Sequence, residues 1–263
     1  MSATSEPAGV IGRLVFLHGF TQTHHHWHDC AYRIAGRLGN EPSLAFVDLP
    51  GHGLSSEDRN DIMGAGRTIT AIAGPGTYIG YSMGGRFGLI AALADPERVE
   101  RLVLIGATPG IDSDAERSER RRLDGERAAR IEQIGVERFL EEWLSAPMFA
   151  GLPSDIGGLE HRCRNSVEGL AHSLRSCGTG SQTSLWHQLG RIRAPVLVIT
   201  GELDLKFAGI ARRMVDALPD ANFVSIADAG HAAHIEQPDR TADVIADWLA
   251  HGNGPVSPAR DRY

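Results

Sequence analysis

Thr77-Tyr78-Ile79-Gly80-Tyr81-Ser82-Met83-Gly84-Gly85 runs from an apolar segment through a serine flanked by small residues and on toward Phe87–Ala94. Its centre, Gly80-Tyr81-Ser82-Met83-Gly84, has the form Gly-x-Ser-x-Gly. Thr77–Gly80 predicts a buried strand. Phe87–Ala94 is apolar almost all round and stops at Asp95-Pro96, which predicts a buried helix ended by proline. Strand, sharp turn and helix are the setting in which such a serine projects its hydroxyl as a nucleophile. The same serine could be an ordinary turn residue, so its standing depends on partners elsewhere in the chain.

Working outward, the strand rhythm repeats. Leu14–Leu17 runs into His18-Gly19-Phe20, and Leu44–Val47 into Asp48-Leu49-Pro50-Gly51-His52-Gly53. Leu102–Ile105 is followed by Gly106-Ala107, Val196–Thr200 by Gly201-Glu202-Leu203-Asp204, and Phe223–Ile226 by Asp228-Ala229-Gly230-His231. Unbroken apolar runs suit strands buried on both faces of a parallel sheet. Functional groups of open α/β sheets gather where such strands end. An acid after one late strand and a histidine after a still later one would complete a Ser-Asp-His order. Asp204 and His231 stand in those places, with Glu202 and His234 as their rivals. The backbone N–H groups of Met83 and Phe20 would then form an oxyanion hole.

Between Gly110 and Arg193 the strand rhythm disappears. Ser113-Asp114-Ala115-Glu116 has the form of a capping box. A charged helix follows to about Ile134, closed by Gly135. Val136, Phe139, Leu140, Trp143 and Leu144 then share one helical face, ended near Pro147. A third helical stretch is expected over about Leu159–Leu174. The expected organisation is a core over 1–109 and 194–251, a helical cap over 110–193 and a flexible tail over 252–263.

Composition narrows the field. A chain of 263 residues with 42% hydrophobic and 22% charged residues is neither disordered nor collagen-like nor a coiled coil. It fits one large domain or a core with a lid. Its aliphatic runs are far shorter than the roughly twenty residues of a membrane span. The start of the chain has no basic and apolar leader pattern. The three cysteines, Cys30, Cys163 and Cys177, then read as free thiols in a reducing compartment, so a cytoplasmic location is expected. A net charge of −7 argues against nucleic acid as a partner. Nearly all the cations are arginine, Lys206 being the only lysine. His24-His25-His26-Trp27-His28 reads as a polar loop beside the pocket. Neighbouring loop histidines lack a defined ligand geometry, and no carboxylate or cysteine companions are evident, so no metal is expected.

His18-Gly19-Phe20, Asp48–Gly53, Gly80–Gly85 and Ala229-Gly230-His231 together resemble the landmarks of the α/β-hydrolase family, over about residues 13–250. The resemblance implies a mostly parallel sheet flanked by helices, with a helical cap insertion. Two features depart from it. Family members often carry two more strands before the His-Gly turn, and Glu57–Gly76 looks short and Gly-rich for its usual helix. Within this fold, Tyr81–Arg86, Glu116–Asp124, Trp143 with Pro147-Met148-Phe149-Ala150, Arg162–Ser166, Leu170–Gln182 and Asp204–Phe207 are similar to the MenH family. Its members are the 2-succinyl-6-hydroxy-2,4-cyclohexadiene-1-carboxylate (SHCHC) synthases of menaquinone biosynthesis.

That resemblance implies a lyase without a cofactor. Its substrate would be a small tricarboxylate, 2-succinyl-5-enolpyruvyl-6-hydroxy-3-cyclohexene-1-carboxylate, from which pyruvate is eliminated. Ser82, polarised by His231 and oriented by Asp204, would be the base. Arg86, Arg120 and Arg162 would bind carboxylates, with Tyr81, Trp143 and Lys206 lining the pocket. Arg164 competes with Arg162. Glu116–Arg120 and Glu126–Arg130 have the spacing of solvated i,i+4 ion pairs, and Trp143 could equally serve packing. A serine hydrolase of esters, or of carbon–carbon bonds in ring-cleavage products, would show the same elbow and triad. A ligand sensor that keeps the fold but not the turnover is a further class. Monomer and homo-oligomer both remain open.

Overall fold

A computed structural model describes residues 12–153 and 158–252. The expected tail beyond Gly252 lies outside the described residues. The strands are β1 (Arg13–Leu17), β2 (Ser43–Val47), β3 (Gly76–Tyr81), β4 (Val99–Ile105), β5 (Val196–Gly201) and β6 (Ala221–Ile226). They form one parallel sheet in the order β2-β1-β3-β4-β5-β6. The helices are α1 (His28–Arg37), α2 (Ala65–Ala73), α3 (Met83–Ala94), α4 (Asp114–Leu144), α5 (Leu159–Arg162), α6 (Val167–Cys177), α7 (Leu205–Ala217), α8 (Ala233–Glu236) and α9 (Pro238–His251).

Alternation along the strands explains the layers. Leu14, Phe16, Ile79, Val103, Ile105, Leu197 and Ile199 point to one face, where Ile34 of α1 and Ile245 and Trp248 of α9 cover them. Val15, Leu17, Tyr78, Leu102, Leu104, Val196 and Val198 point to the other, under Ile69 of α2, Phe87 of α3 and Met214 of α7. β2 and β6, read as apolar runs, are half-exposed because they are the sheet's edges. The register sets Leu17 beside Gly80, Tyr81 beside Ile105, Ile105 beside Ile199 and Gly201 beside Ile226. The carboxyl ends of the strands are therefore level, and the loops that follow them meet over one rim.

Over that rim the chain inserts α4, α5 and α6. Ser113 caps α4 by accepting from the Glu116 N–H at 3.3 Å. Gly135, at φ 78°, kinks α4 where the charged part gives way to the amphipathic part. Beyond the kink, Phe139 and Leu140 pack on Leu170 and Leu174 of α6 in a separate apolar cluster. The single helix expected over Leu159–Leu174 is two, α5 and α6. Ser166 breaks it by adopting an extended backbone and capping α6, accepting from the Gly169 N–H at 3.0 Å. Between residues 57 and 76 only the nine-residue α2 forms.

The i,i+4 pairs expected in the charged helix are also re-partnered. Arg120 reaches the buried Asp124 at 2.8 Å rather than Glu116. Glu126 pairs with Arg122, and Arg130 crosses the kink to Glu142. The exposed pairs Arg122–Glu126 and Arg130–Glu142 contribute about 0–1 kcal/mol each, so they decorate the helix rather than hold the cap. Contacts to the core hold it instead. Asn165 accepts from the Gly53 N–H at 2.9 Å and donates to the Thr21 carbonyl at 2.8 Å. A Cβ on Gly51 would sit 2.3 Å from the Gly169 carbonyl oxygen.

Candidate active site

Ser82 sits between β3 and α3 at φ 49° and ψ −106°, a conformation L-residues adopt only when their surroundings enforce it. The neighbouring glycines show the enforcement. A Cβ on Gly84 would lie 2.0 Å from the Leu17 carbonyl oxygen, and one on Gly80 2.5 Å from that of Gly84. Both contacts are with backbone, which cannot swing aside. Gly84→Ala is therefore expected to cost about 3 kcal/mol or more, at the upper end of overpacking effects. In a chain of this size that corresponds to a melting temperature lower by about 6–12 °C. A thermal melt within 2 °C of wild type would show that the elbow has slack.

His231 lies 2% exposed, with Nε2 3.2 Å from the Ser82 Oγ and Nδ1 2.7 Å from Asp204 Oδ2. With the proton on Nδ1 shared toward Asp204, Nε2 is free to accept from the serine hydroxyl. Asp204 is itself fixed, because it caps α7 by accepting from the Phe207 N–H at 3.2 Å. Gly106 leaves room for the imidazole, since a Cβ there would sit 3.0 Å from His231 Cε1. The rivals are placed elsewhere. Glu202 is exposed and turned toward the Asp228 N–H. His234 is buried between Trp27 and Tyr81, with neither ring nitrogen partnered, and burial pushes its pKa down to about 3.

The N–H groups of Phe20 and Met83 donate to no acceptor among the described residues. Met83 is the first residue of α3, where such groups are free by geometry. The Phe20 loop is held by two histidines that served the sequence reading only as landmarks. His18 donates from Nδ1 to the Gly19 carbonyl at 2.8 Å and accepts at Nε2 from the Leu49 N–H at 3.0 Å. His52 accepts from the Thr21 N–H at 3.2 Å and so holds Thr21 at φ 68°. Burial pushes these histidines down to about 4 and about 3, so both are neutral linkers near pH 7.

A cavity of about 280 Å³ opens between cap and core. Ser82, His231, Phe20, Met83, Tyr81 and Arg86 line it from the core side. Arg120, Trp143 and Arg162 face it from the cap, and the exposed Lys206 stands at its rim. Asp204 lies behind His231. Trp143 packs edge-on to Phe20 at 5.4 Å, stacks on Phe139 at 6.0 Å and also lines the cavity. Arg164 is placed outward, paired with Glu160 at 2.6 Å.

The cations differ in their partners. Arg86, 5% exposed, donates to the Gln182 side-chain oxygen at 3.0 Å and to the Cys177 carbonyl at 2.7 Å. Arg162, 3% exposed, donates to the Thr21 hydroxyl at 2.5 Å, and its Nε has no partner among the described residues. Burial lowers both to about 10, so both stay charged near neutral pH. Neither forms an ion pair among the described residues, whereas Arg120 is tied to Asp124.

Arg127, Gln22, Phe149 and Phe207 also line the cavity and were missed. Arg127 lies 5.7 Å from the Trp143 ring centroid and 3.3 Å from Asp124. Its spacing of seven from Arg120 puts it on the same helical face, a signal the sequence did contain. Gln22 accepts from the Gly19 N–H at 2.9 Å and keeps an unpartnered, buried Nε2. Burial pushes the Cys30 and Cys177 thiols up to about 12, so neither is a nucleophile at neutral pH.

The histidine cluster needs a correction. Its residues form a 3-10 turn, His24–Trp27, running directly into α1 rather than a loop. A carboxylate companion does exist, since His24 Nδ1 lies 2.7 Å from Asp48 Oδ2. None of these histidines lines the cavity beside Ser82.

Residues 14–244 match the alpha/beta hydrolase family. A Bacillus subtilis (strain 168) protein, to which 2-succinyl-6-hydroxy-2,4-cyclohexadiene-1-carboxylate synthase activity is provisionally ascribed, is 35% identical over 250 residues, spanning 90% of this chain and 89% of its own. The synthase of that name from Citrobacter koseri is 32% identical over 90% of this chain and 93% of its own. The structure of MenH from S. aureus superposes with a TM-score of 0.84 at 32% identity, covering 93% of this chain and 96% of that one.

Proposed function

The chain belongs to the alpha/beta hydrolase family and, within it, to the SHCHC synthase branch, and from that premise we propose that it is a lyase. It eliminates pyruvate from 2-succinyl-5-enolpyruvyl-6-hydroxy-3-cyclohexene-1-carboxylate to give SHCHC, a step of menaquinone biosynthesis in the cytoplasm. The observation that carries the reading is the pair of buried, charged guanidinium groups, Arg86 and Arg162, facing the cavity of Ser82 with no carboxylate partner among the described residues. A buried charge left unpaired costs several kcal/mol, and a substrate bearing carboxylates offsets that cost. A pocket built for uncharged esters would have no use for it.

The residues support a water-free route. Ser82 Oγ takes the ring proton next to the succinyl carbonyl as its own proton passes to His231 Nε2. Asp204 stabilises the imidazolium. The electron pair of the broken C–H bond moves onto the carbonyl oxygen, where the Phe20 and Met83 N–H groups receive it. One such donor contributes about 3–4 kcal/mol to transition-state stabilisation. The enolate then collapses: a C2–C3 double bond forms, the existing C3–C4 double bond shifts to C4–C5, and the C5–O bond to the enolpyruvyl group breaks. The departing enolate gains the proton that His231 holds and leaves as pyruvate. Arg86 and Arg162 hold carboxylates in place, with Arg120, Lys206 and Arg127 adding positive field at the mouth.

Pyruvate release coupled to lactate dehydrogenase tests the proposal, with an enzyme-free blank because the substrate eliminates slowly by itself. A kcat/KM for elimination of about 10⁴ M⁻¹s⁻¹ or more is expected, with far slower turnover of a p-nitrophenyl ester. Release at the rate of the blank, beside rapid ester turnover, would replace the lyase by a serine hydrolase.

A further inference from the structure

The proposed reaction makes no use of the histidines that follow the Phe20 loop. His24, His25 and His28 each offer a ring nitrogen, and these atoms all lie within 4.8 Å of one another. The 3-10 turn His24–Trp27 and the start of α1 bring them together, with ring centroids 4.0 Å apart for His24 and His25 and 5.0 Å for His25 and His28. All are half-buried, so the rings are reachable yet confined.

Neighbouring side chains orient the rings. Asp48, its side chain 2% exposed, binds His24 Nδ1 at 2.7 Å and leaves Nε2 as the free donor atom. A carboxylate behind the remote nitrogen is the usual support of a metal-bound imidazole, fixing its tautomer and raising its basicity. His161 from α5 stacks on His25 at 4.0 Å with the planes 17° apart, and Phe46 meets His28 at 4.7 Å. These neighbours limit how far the two rings can turn.

We propose that His24, His25 and His28 form a binding site for one divalent late first-row transition metal ion, with Zn²⁺ as its fitting member. Imidazole donors without thiolate suit zinc, copper and nickel rather than magnesium or calcium. Zinc bonds nitrogen at about 2.0–2.1 Å, which puts tetrahedral donors about 3.3 Å apart. Binding would draw the ring nitrogens, which lie within 4.8 Å of one another, to that spacing and leave one position to solvent. The ion would sit where β1 leads into α1 and where α5 of the cap touches the core. It would brace the segment that carries the Phe20 N–H without entering the catalytic cavity.

Calorimetric titration of the tag-free, full-length chain with Zn²⁺ tests this. One ion per chain is expected, with affinity falling at least about tenfold in His25→Ala and in His28→Ala, the size of loss seen when metal-site groups are removed. Binding should be unchanged in His187→Ala, an exposed histidine elsewhere. Zinc should raise the melting temperature of wild type but not of the double His25→Ala/His28→Ala variant. Co²⁺ should give a ligand-field spectrum that the double variant lacks. No saturable binding would overturn the proposal. So would stoichiometric binding that survives the double substitution, or binding abolished only by His231→Ala, which would put the ion in the catalytic cavity.

Discussion

Ser82→Ala is expected to lower kcat for pyruvate release by about 10²–10⁴-fold, the usual contribution of a positioned proton acceptor, with KM little changed. The split follows from the geometry. The hydroxyl lies 3.2 Å from His231 Nε2 and forms part of the proton path. The guanidinium groups proposed to bind carboxylates come from α3 and α5 and are untouched by the change. His231→Ala should cost as much, and the double variant hardly more than either alone, because residues that act as a unit are not additive. Single-turnover pyruvate release by the three variants measures this. A loss below tenfold in Ser82→Ala alone would mean that His231 takes the ring proton itself and that Ser82 only fills space.

Much of this machinery was readable in the sequence because it rests on local patterns. Runs such as Val196–Thr200 alternate between two apolar layers, and several end at turns with a glycine, such as Gly84 or Gly201, that has no room for a side chain. That regularity marks Ser82, Asp204 and His231 in the sequence itself. The choice between Arg162 and Arg164 could not be read the same way. The two differ in what packs around them, and for Arg162 that includes Thr21, far away in sequence. The break between α5 and α6 was hidden because Leu159–Leu174 keeps a plausible helical periodicity, while the Ser166 cap is a single-residue effect. The histidine cluster departs from its expected loop for a related reason. Its carboxylate companion, Asp48, arrives from the end of β2. Local periodicity reports which way a side chain points along its own element, and not what another element brings to meet it.

Arg162→Met is expected to separate binding from stability. In the free protein the Arg162 guanidinium is buried and charged; among the described residues its side chain hydrogen-bonds only the Thr21 hydroxyl, and Nε has no partner. A buried charge in that state is a net cost to the fold, and an apolar side chain of similar volume is commonly neutral or stabilising in its place. The melting temperature of Arg162→Met should therefore match or exceed that of wild type. The Thr21 backbone stays held by His52 and Asn165, so the Phe20 loop keeps its shape. Substrate binding should suffer in full. Removing one partner of a desolvated charge pair costs about 2–5 kcal/mol, which at 1.4 kcal/mol per decade lowers kcat/KM by about 30- to several-thousand-fold. Arg86→Met serves as the contrast. Arg86 ties Gln182 and the Cys177 carbonyl together across cap and core, so its loss should lower melting temperature and activity alike. Melting curves and kcat/KM on the two variants, run side by side, make the comparison. If Arg162→Met instead lost stability in step with activity, Arg162 would be a strut between α5 and the Thr21 loop, and the substrate's carboxylates would need another cation.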